Sequence, residues 1–237
     1  MNKPIIGIMM RCFKIDEKPI QYIFESVRKC IIKCGGEPLL ICPPKIIDYY
    51  NTNWNEFPEF SNEELESINY WLDMCDGLFL PGGNKFTKFD LVVLDIAIKK
   101  NIPILGVCMG MQLMSCYKKS YDLYPVNSKV NHNQKDLNIL YSHKVMIKEC
   151  SKLSNIVKEK EILVNSFHKM ACRENPLFNV TAISEDGIIE AIEMKNKDFV
   201  IGVQWHPEKT VDNDNYSMNI LNAFITKAVE FKKRKIK

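Results

Sequence analysis

The feature that most constrains the fold is an alternation of short apolar segments with longer segments of helical periodicity along the first half of the chain. Short apolar runs bounded by glycine or proline are typical of buried strands. Strands that alternate with helices favour a parallel sheet covered by helices on both faces. We therefore predict an α/β fold with a doubly wound, mostly parallel sheet. The predicted strands are Pro4–Met10, Pro38–Cys42, Gly77–Leu80 and Ile102–Val107.

Helices are predicted between these strands and near the carboxyl terminus. The segment Gln21–Cys34 has an apolar face and is followed by Gly35-Gly36, where glycine can adopt the left-handed conformation that ends a helix. Ser61 and Glu64 stand at the spacing of a capping box, which marks the start of a second helix. The other predicted helices are Leu91–Lys100 and Ser217–Glu230.

Beyond residue 125 the pattern changes to short strands joined as hairpins. Asp186-Gly187 between two of them is a strong signal for a tight turn. This predicts a small antiparallel extension in the C-terminal half of the chain. Because no linker or repeat interrupts the sequence, residues 1–237 are predicted to form a single domain. The predicted strands here are Lys144–Ile147, Ile162–Val164, Phe178–Ser184, Ile188–Met194 and Val200–Gln204.

Composition argues against several classes of protein. With 237 residues, 46% of them apolar, the chain can bury one substantial core. The apolar stretch Pro4–Met10 is too short for a signal peptide or a membrane span, so no membrane association is predicted. Nine cysteines, with no Cys-x-x-Cys pair, argue against a disulfide framework or a structural zinc site. We predict a protein of the reducing cytoplasm.

The formal net charge of +3 does not indicate a nucleic-acid partner. Five of the positive charges lie at the extreme carboxyl terminus, in Lys232–Lys237, and without them the net charge changes sign. A short basic end without interleaved aromatic residues is more typical of a solvated helix terminus than of an RNA- or DNA-binding arm. No nucleic acid is therefore expected among the partners.

The first chemical feature is Cys108, which lies between Gly106 and Gly110 where the fourth predicted strand meets a helix. A Gly-x-nucleophile-x-Gly turn holds a nucleophile out at the edge of a sheet, because the flanking glycines lack the Cβ atoms that would clash there. Ligands of open parallel sheets bind outside the carboxyl ends of the strands. The Pro81-Gly82-Gly83 turn ends the preceding strand, so it is predicted to share this rim with Cys108.

A second feature, His206-Pro207-Glu208, follows the last predicted strand. A thiolate nucleophile needs an imidazole partner, and the imidazole needs a group that fixes its tautomer and stabilises its charge. If the segment is extended, the side chains of His206 and Glu208 point to the same side. The sequence therefore predicts a Cys108–His206–Glu208 triad.

These residues resemble the class I glutamine amidotransferase superfamily, which has a flavodoxin-like fold and uses a Cys-His-Glu triad to cleave γ-glutamyl amide bonds. The motifs that carry the resemblance lie at 81–83, 106–112 and 203–208. The resemblance implies that Cys108 is the nucleophile, His206 the acid and base, and Glu208 its orienting carboxylate. It also implies an oxyanion hole at the Gly82-Gly83 turn, with the backbone N–H groups of Gly83 and Met109 as donors.

Weaker motifs are similar to those of the γ-glutamyl-γ-aminobutyrate hydrolase-like group, also called γ-glutamyl hydrolase peptidases. They include Ser142–Val145, Val164–His168 and Asp186–Glu193. For His132 and His143 a surface or strand-end position is favoured. By the same resemblance, the residues expected to line the pocket beside the thiol or to hold the glutamyl portion are Gln112, Asn165, Ser166 and His168.

The resemblance implies a cysteine-dependent hydrolase of C–N bonds that forms a glutamyl-thioester and releases glutamate and an amine. It implies a small-molecule γ-glutamyl substrate and no metal or organic cofactor, and it is compatible with a homodimer. The chain departs from the hydrolase group at Met109, where arginine is usual, and at Lys169-Met170, so the leaving amine is not implied. Two alternatives stay open: a glutaminase subunit that delivers ammonia to a separate synthetase, and a catalytically silent binding protein.

Overall fold

The computed structural model describes residues 3–119, 121–136 and 138–235, and Lys237 of the basic end lies outside these ranges. A nine-stranded sheet runs through the described part of the chain. The strands are β1 (Ile5–Met9), β2 (Arg11–Ile15), β3 (Lys18–Tyr22), β4 (Glu37–Ile41), β5 (Gly77–Leu80), β6 (Ile104–Val107), β7 (Leu123–Pro125), β8 (His143–Ile147), β9 (Glu161–Val164), β10 (Met170–Cys172), β11 (Phe178–Ser184), β12 (Ile189–Met194) and β13 (Val200–Val203). The helices are α1 (Glu25–Lys33), α2 (Asn62–Met74), α3 (Lys88–Lys99), α4 (Met109–Ser115), α5 (Lys152–Val157), α6 (Pro207–Thr210) and α7 (Asn215–Lys235), with a 3-10 turn at Trp54–Glu56.

The strand order in the large sheet is β4-β1-β5-β6-β13-β12-β11-β8-β9. The first five strands in this order pair in parallel, and β13 pairs with β6 in register from Val200 opposite Ile104 to Val203 opposite Val107. The following strands, β12 to β9, pair antiparallel. The predicted α/β sheet with an antiparallel extension is therefore confirmed, and the carboxyl ends of β5, β6 and β13 lie side by side.

Helices cover both faces of the parallel strands. Side chains alternate between the two faces along each strand, and every residue of β5 and β6 is buried, so both faces contribute to the core. On one face, Leu78 and Leu80 of β5 belong to a core that includes residues of α2, α3 and α4. On the other face, Phe79 belongs to a core built with α1, α5 and α7, in which Phe224 packs edge-on against it at a ring separation of 6.3 Å. This arrangement is the doubly wound architecture that the sequence predicts.

The main element that the sequence does not predict is the hairpin β2–β3. The helical pattern predicts a helix from Gln21, whereas α1 begins at Glu25 and Gln21 belongs to β3. The turn of the hairpin is formed by Asp16 and Glu17, both with positive φ (47° and 64°). Asn-Gly or Asp-Gly is the usual signal for such a turn, and a non-glycine pair gives none. The hairpin forms a separate two-stranded sheet beside the carboxyl ends of the parallel strands.

The longest helix, α7, has buried residues such as Leu221 and Phe224 on one face and ends in the basic residues Lys232–Lys235. Among the residues that the structure describes, no helix combines the length and the apolar character needed to span a bilayer.

Candidate active site

Cys108 lies in a strained turn between β6 and α4, with φ 51° and ψ −110°. A positive φ is costly for a residue other than glycine, and such strain is characteristic of functional sites. The neighbouring glycines make the turn sterically possible. A Cβ atom on Gly110 would clash with the carbonyl oxygen of Leu80, and one on Gly106 would lie 2.9 Å from the carbonyl carbon of Gly110. Glycine is therefore required on both sides of Cys108.

His206 comes from the end of β13, next to β6. It is the N-cap residue of α6, with Pro207 at the first helical position. Glu208 therefore lies in a helix and not in the extended segment that the sequence predicts. The two side chains still meet, since Nδ1 of His206 lies 2.8 Å from Oε1 of Glu208. Both residues are buried. The carboxylate fixes Nδ1 as the protonated ring nitrogen and leaves Nε2 for chemistry.

Gly82 brings the imidazole and the thiol together. A Cβ atom at this position would lie 2.7 Å from Cε1 of His206 and 3.4 Å from Cβ of Cys108, so both side chains pack against the same backbone. Nε2 of His206 has no hydrogen-bond partner among the described residues. Burial by itself lowers the pKa of His206, but the interactions of the imidazole with Glu208 and, after it, with Cys108 outweigh burial and raise this pKa to about 10. The raised pKa favours a protonated imidazole beside Cys108.

Asn165 and Ser166 lie behind the site rather than on its surface, which corrects the expectation that they line the pocket. The side-chain amide of Asn165 donates to the backbone oxygen of His206 and accepts from its backbone N–H, both at 2.8 Å. The Ser166 hydroxyl donates to the carbonyl oxygen of His132 at 2.7 Å. Both side chains therefore hold backbone segments in position.

The Pro81-Gly82-Gly83 turn is held by Arg11, a residue that the sequence analysis did not single out. The guanidinium of Arg11 donates to the carbonyl oxygen of Pro81 from Nε at 3.1 Å and from Nη2 at 2.8 Å, and it is paired with Asp90 through Nη1. Gly83 packs directly against the side chains of Arg11 and Met109. The backbone N–H of Met109 is the first in α4, so it has no acceptor within the helix.

A cavity of about 540 Å³ opens on one side of Cys108, and we call it the polar chamber. Gln112 lines it and donates to the carbonyl oxygen of Met170 at 2.7 Å, and His168 lines it from the adjacent loop. The other residues that border it include Gly83, Asn84, Lys85, Met109, Tyr121 and Lys169. Its mixture of backbone amides, cations and side-chain amides suits a small polar substrate.

The three remaining histidines converge on one buried carboxylate, Glu190 of β12. Its Oε1 lies 3.2 Å from Nδ1 of His132, 3.3 Å from Nε2 of His143 and 3.5 Å from Nε2 of His168. His132 is only 2% exposed, so the expected surface position is wrong for this residue, and His143 lies at a strand end as expected but is buried. Sequence spacing gives no sign of the cluster, because its members come from separate loops and strands.

Within this histidine cluster, Glu190 and His132 stabilise each other's charged forms. Burial raises the pKa of Glu190, but hydrogen bonds from the three imidazoles reverse this effect and hold it well below its usual range. Burial lowers the pKa of His132, yet Glu190 and Asp186 together raise it above its ordinary value. His132, His168 and Glu190 each offer a ligand atom within 4.8 Å of the others, so this cluster also has the donor set of a metal site.

Comparison with known proteins identifies the family to which this chain belongs. The model of the Peptidase C26 family matches residues 85–208. A provisionally named glutamine amidotransferase of Schizosaccharomyces pombe is 32% identical, over 96% of this chain and 88% of the relative. The γ-glutamyl-γ-aminobutyrate hydrolase PuuD of Escherichia coli is 25% identical, over 95% of this chain and 94% of the relative.

A solved structure shows the same fold at low sequence identity. It is a provisionally named GMP synthase subunit from Thermoplasma acidophilum, with a TM-score of 0.66, 16% identity and full coverage of both chains. Because the family match covers about half of the chain and the yeast relative aligns along nearly all of it, this protein belongs to the Peptidase C26 family of class I glutamine amidotransferase-like proteins.

Proposed function

We propose that this protein is a cysteine hydrolase that cleaves γ-glutamyl amide bonds and releases glutamate and an amine. The observation that carries the proposal is the convergence of Cys108, His206 and Glu208 at the ends of neighbouring strands, next to the polar chamber. Membership of the Peptidase C26 family supports the reaction class, and the hydrolase name of the Escherichia coli relative supports the γ-glutamyl substrate.

The proposed reaction has two steps. The thiolate of Cys108 attacks the γ-carbonyl carbon, and the developing oxyanion is stabilised by the backbone N–H groups of Gly83 and Met109. The C–N bond then breaks as Nε2 of protonated His206 gives its proton to the leaving nitrogen, which yields a glutamyl-thioester and a free amine. In the second step His206 takes a proton from water and the resulting hydroxide attacks the thioester carbonyl. The C–S bond then breaks, which releases glutamate and restores the Cys108 thiolate beside protonated His206.

Each proposed catalytic group is held by further contacts. Glu208 orients the imidazole through Nδ1, and Asn165 fixes the backbone of His206 from both its N–H and its carbonyl side. Arg11 fixes the turn that carries Gly83. In the polar chamber, Gln112 and His168 are proposed to contact the glutamyl portion. The reaction needs no redox or metal chemistry, because nucleophile, acid and oxyanion donors complete it.

The test is glutamate release by the purified full chain from a panel of γ-glutamyl amides, with glutamine included. We expect turnover, an acid-stable adduct of one glutamyl group on Cys108 in mass spectra of quenched reactions, and loss of both in Cys108→Ala. The exposed Cys42→Ala variant is the matched control and is expected to behave like the wild type. Absence of any glutamate release together with failure of a thiol-reactive glutamine analogue to label Cys108 would indicate a catalytically silent binding protein. Release of ammonia from glutamine alone, increased by a synthetase partner, would indicate a glutaminase subunit.

A further inference from the structure

A second cavity meets the site at Cys108, on the side of the hairpin β2–β3. Its volume is about 460 Å³, within the range of about 300 to 1,000 Å³ that is typical of small-molecule sites. We call it the hairpin chamber. It shares Gly83, Asn84, Cys108 and Phe167 with the polar chamber, so the thiol lies between two spaces.

The two chambers differ in which catalytic groups border them. His206 lines the hairpin chamber and not the polar chamber, whereas Gln112 and His168 line the polar chamber and not the hairpin chamber. In amide cleavage the departing nitrogen must receive a proton from the imidazole, so the amine leaves on the side where that imidazole lies. The hairpin chamber therefore lies on the leaving-group side.

The wall of the hairpin chamber is apolar and aromatic. The wall is formed by side chains of the hairpin and of Phe24, which precedes α1. The hairpin residues are Phe13, Ile15, Ile20 and Tyr22. The rings of Phe13, Tyr22 and Phe24 pack edge to face in sequence, with centroid separations of 6.0 and 5.3 Å. Phe13, Ile15 and Phe24 are nevertheless 36%, 52% and 46% exposed, and such a cluster of apolar surface is typical of a binding site.

The side chain of Lys209 borders this apolar wall. Nζ of Lys209 lies 3.8 Å from the ring centroid of Phe167 and 5.9 Å from that of Phe24. Within residues 3–119, 121–136 and 138–235 no carboxylate pairs with this ammonium group, and Lys209 contacts the two aromatic rings instead. An ammonium group held at an apolar wall is suited to a carboxylate on a bound molecule.

From these observations we propose that the hairpin chamber selects leaving amines that combine an apolar, preferably aromatic, body with a carboxylate, as in γ-glutamyl derivatives of apolar amino acids. This proposal rests on the proposed function. The body contacts Phe13, Ile15 and Phe24, and the carboxylate contacts Lys209. When the C–N bond breaks and His206 protonates the nitrogen, the product in this chamber is the free amino acid. Ammonia, the leaving group of glutamine, would leave the chamber unfilled.

The test compares four substrates of the full chain that separate the two recognition elements. γ-Glutamyl-phenylalanine carries both, γ-glutamyl-alanine carries the carboxylate alone, γ-glutamyl-phenethylamide carries the aromatic body alone, and glutamine carries neither. We expect kcat/KM to be highest for γ-glutamyl-phenylalanine and to fall by about tenfold to a hundredfold for loss of either element.

Two variants assign the preference to the chamber. Lys209→Met is expected to remove the preference for γ-glutamyl-phenylalanine over γ-glutamyl-phenethylamide, and Ile15→Ser its preference over γ-glutamyl-alanine. Each preference is measured as the ratio of the two kcat/KM values within the same variant. The matched controls are Lys29→Met and Ile46→Ser, exposed residues outside both chambers.

Several outcomes would overturn the proposal. Equal kcat/KM for all four substrates with normal glutamine turnover would contradict the chamber's role and leave the proposed function standing. An equal loss for every substrate in Lys209→Met would show that this residue acts generally rather than on the leaving group. No turnover of any substrate and no adduct on Cys108 would overturn both proposals together.

Discussion

The proposed reaction depends on the protonation of a single residue, His206. Glu208 lies 2.8 Å from Nδ1, and both side chains are buried, so the carboxylate interacts with the imidazolium without screening by water. The pKa of His206 is raised to about 10 by Glu208 and Cys108 against the effect of burial. The imidazole therefore stays protonated through neutral pH, in the form that can protonate a leaving amine.

This charge coupling predicts the pH dependence of the rate. Because His206 must carry a proton, kcat/KM should be maintained through mildly alkaline pH and fall as pH rises through about 10. Glu208→Gln removes the carboxylate that contributes most to raising the pKa of His206. That pKa should therefore fall, and the alkaline limb of the kcat/KM profile should move toward lower pH. The rate at its optimum should fall by about 10² to 10⁴-fold, as for other orienting carboxylates. The measurement is a kcat/KM profile over pH for both proteins.

Glu66→Gln, on the exposed face of α2, serves as the control and should keep the wild-type profile. An alkaline limb that stays in place in Glu208→Gln would contradict the assignment of Glu208 as the orienting partner, even if the rate falls.

At the scale of elements, Arg11 connects three parts of the fold. It begins β2, donates two hydrogen bonds to the carbonyl of Pro81 after β5, and pairs with Asp90 in the first turn of α3. Asp90 also accepts from the backbone N–H of Thr87 at 2.7 Å and so caps that helix. Arg11 and Asp90 are both buried. The position of the Gly83 N–H thus depends on a buried ion pair.

Removal of the arginine should therefore affect both stability and rate. Arg11→Met leaves Asp90 as an uncompensated buried charge, and breaking such a pair costs about 3 to 5 kcal/mol of the free energy of unfolding. Loss of the two hydrogen bonds to Pro81 should also loosen the turn and lower kcat. Denaturant unfolding and glutamate release measure the two effects.

A double variant separates these effects. In Arg11→Met with Asp90→Asn the buried charge is gone while an amide oxygen can still cap α3, so most of the stability should return. The carbonyl of Pro81 remains without its donors, so kcat should stay low. Recovery of kcat together with stability would show that Arg11 acts on the fold alone.

At the scale of the whole molecule, Glu190 and its three histidines connect the antiparallel half of the sheet to the loops beside the polar chamber. Glu190 belongs to β12, His143 begins β8, and His168 lines the chamber. Since the pKa of Glu190 is lowered, its stabilising contribution is present above about pH 4.3 and is lost as pH falls below that value. Since the pKa of His132 is raised, its contribution is present below about pH 6.5 and is lost as pH rises through the raised value.

The two contributions overlap between about pH 4.3 and 6.5, so the cluster should stabilise the fold most in that window. Glu190→Gln leaves the imidazoles without their common carboxylate and should cost about 3 to 5 kcal/mol near the centre of the window. It should also flatten the dependence of stability on pH. Denaturant unfolding at about pH 4, 6 and 8 measures this, with the exposed Glu185→Gln as control. A constant difference at all three values would rule out the charge coupling.

Much of the fold follows from local sequence patterns. Gly77–Leu80 forms β5 with the predicted bounds, and the capping box of Ser61 and Glu64 is present, with the hydroxyl accepting from the Glu64 N–H at 3.2 Å. The hairpin β2–β3 was missed, because its Asp16-Glu17 turn lacks glycine and Tyr22 lies close to the helical periodicity of α1. Tyr22 of the hairpin packs against Phe24 beside the site, and local sequence patterns give no signal for its strands.

The strand-to-helix turn around Cys108 follows from the sequence, because the flanking glycines act within a few residues, and the pairing of His206 with Glu208 is indicated by their separation of two positions. Which distant groups meet is visible only in the folded chain. Arg11 reaches Pro81 across 70 positions, and Glu190 collects histidines from separate segments. The hairpin chamber likewise arises where β2–β3 folds over the rim of the sheet. Burial and charge pairing between distant segments depend on three-dimensional packing, for which a linear pattern carries no signal.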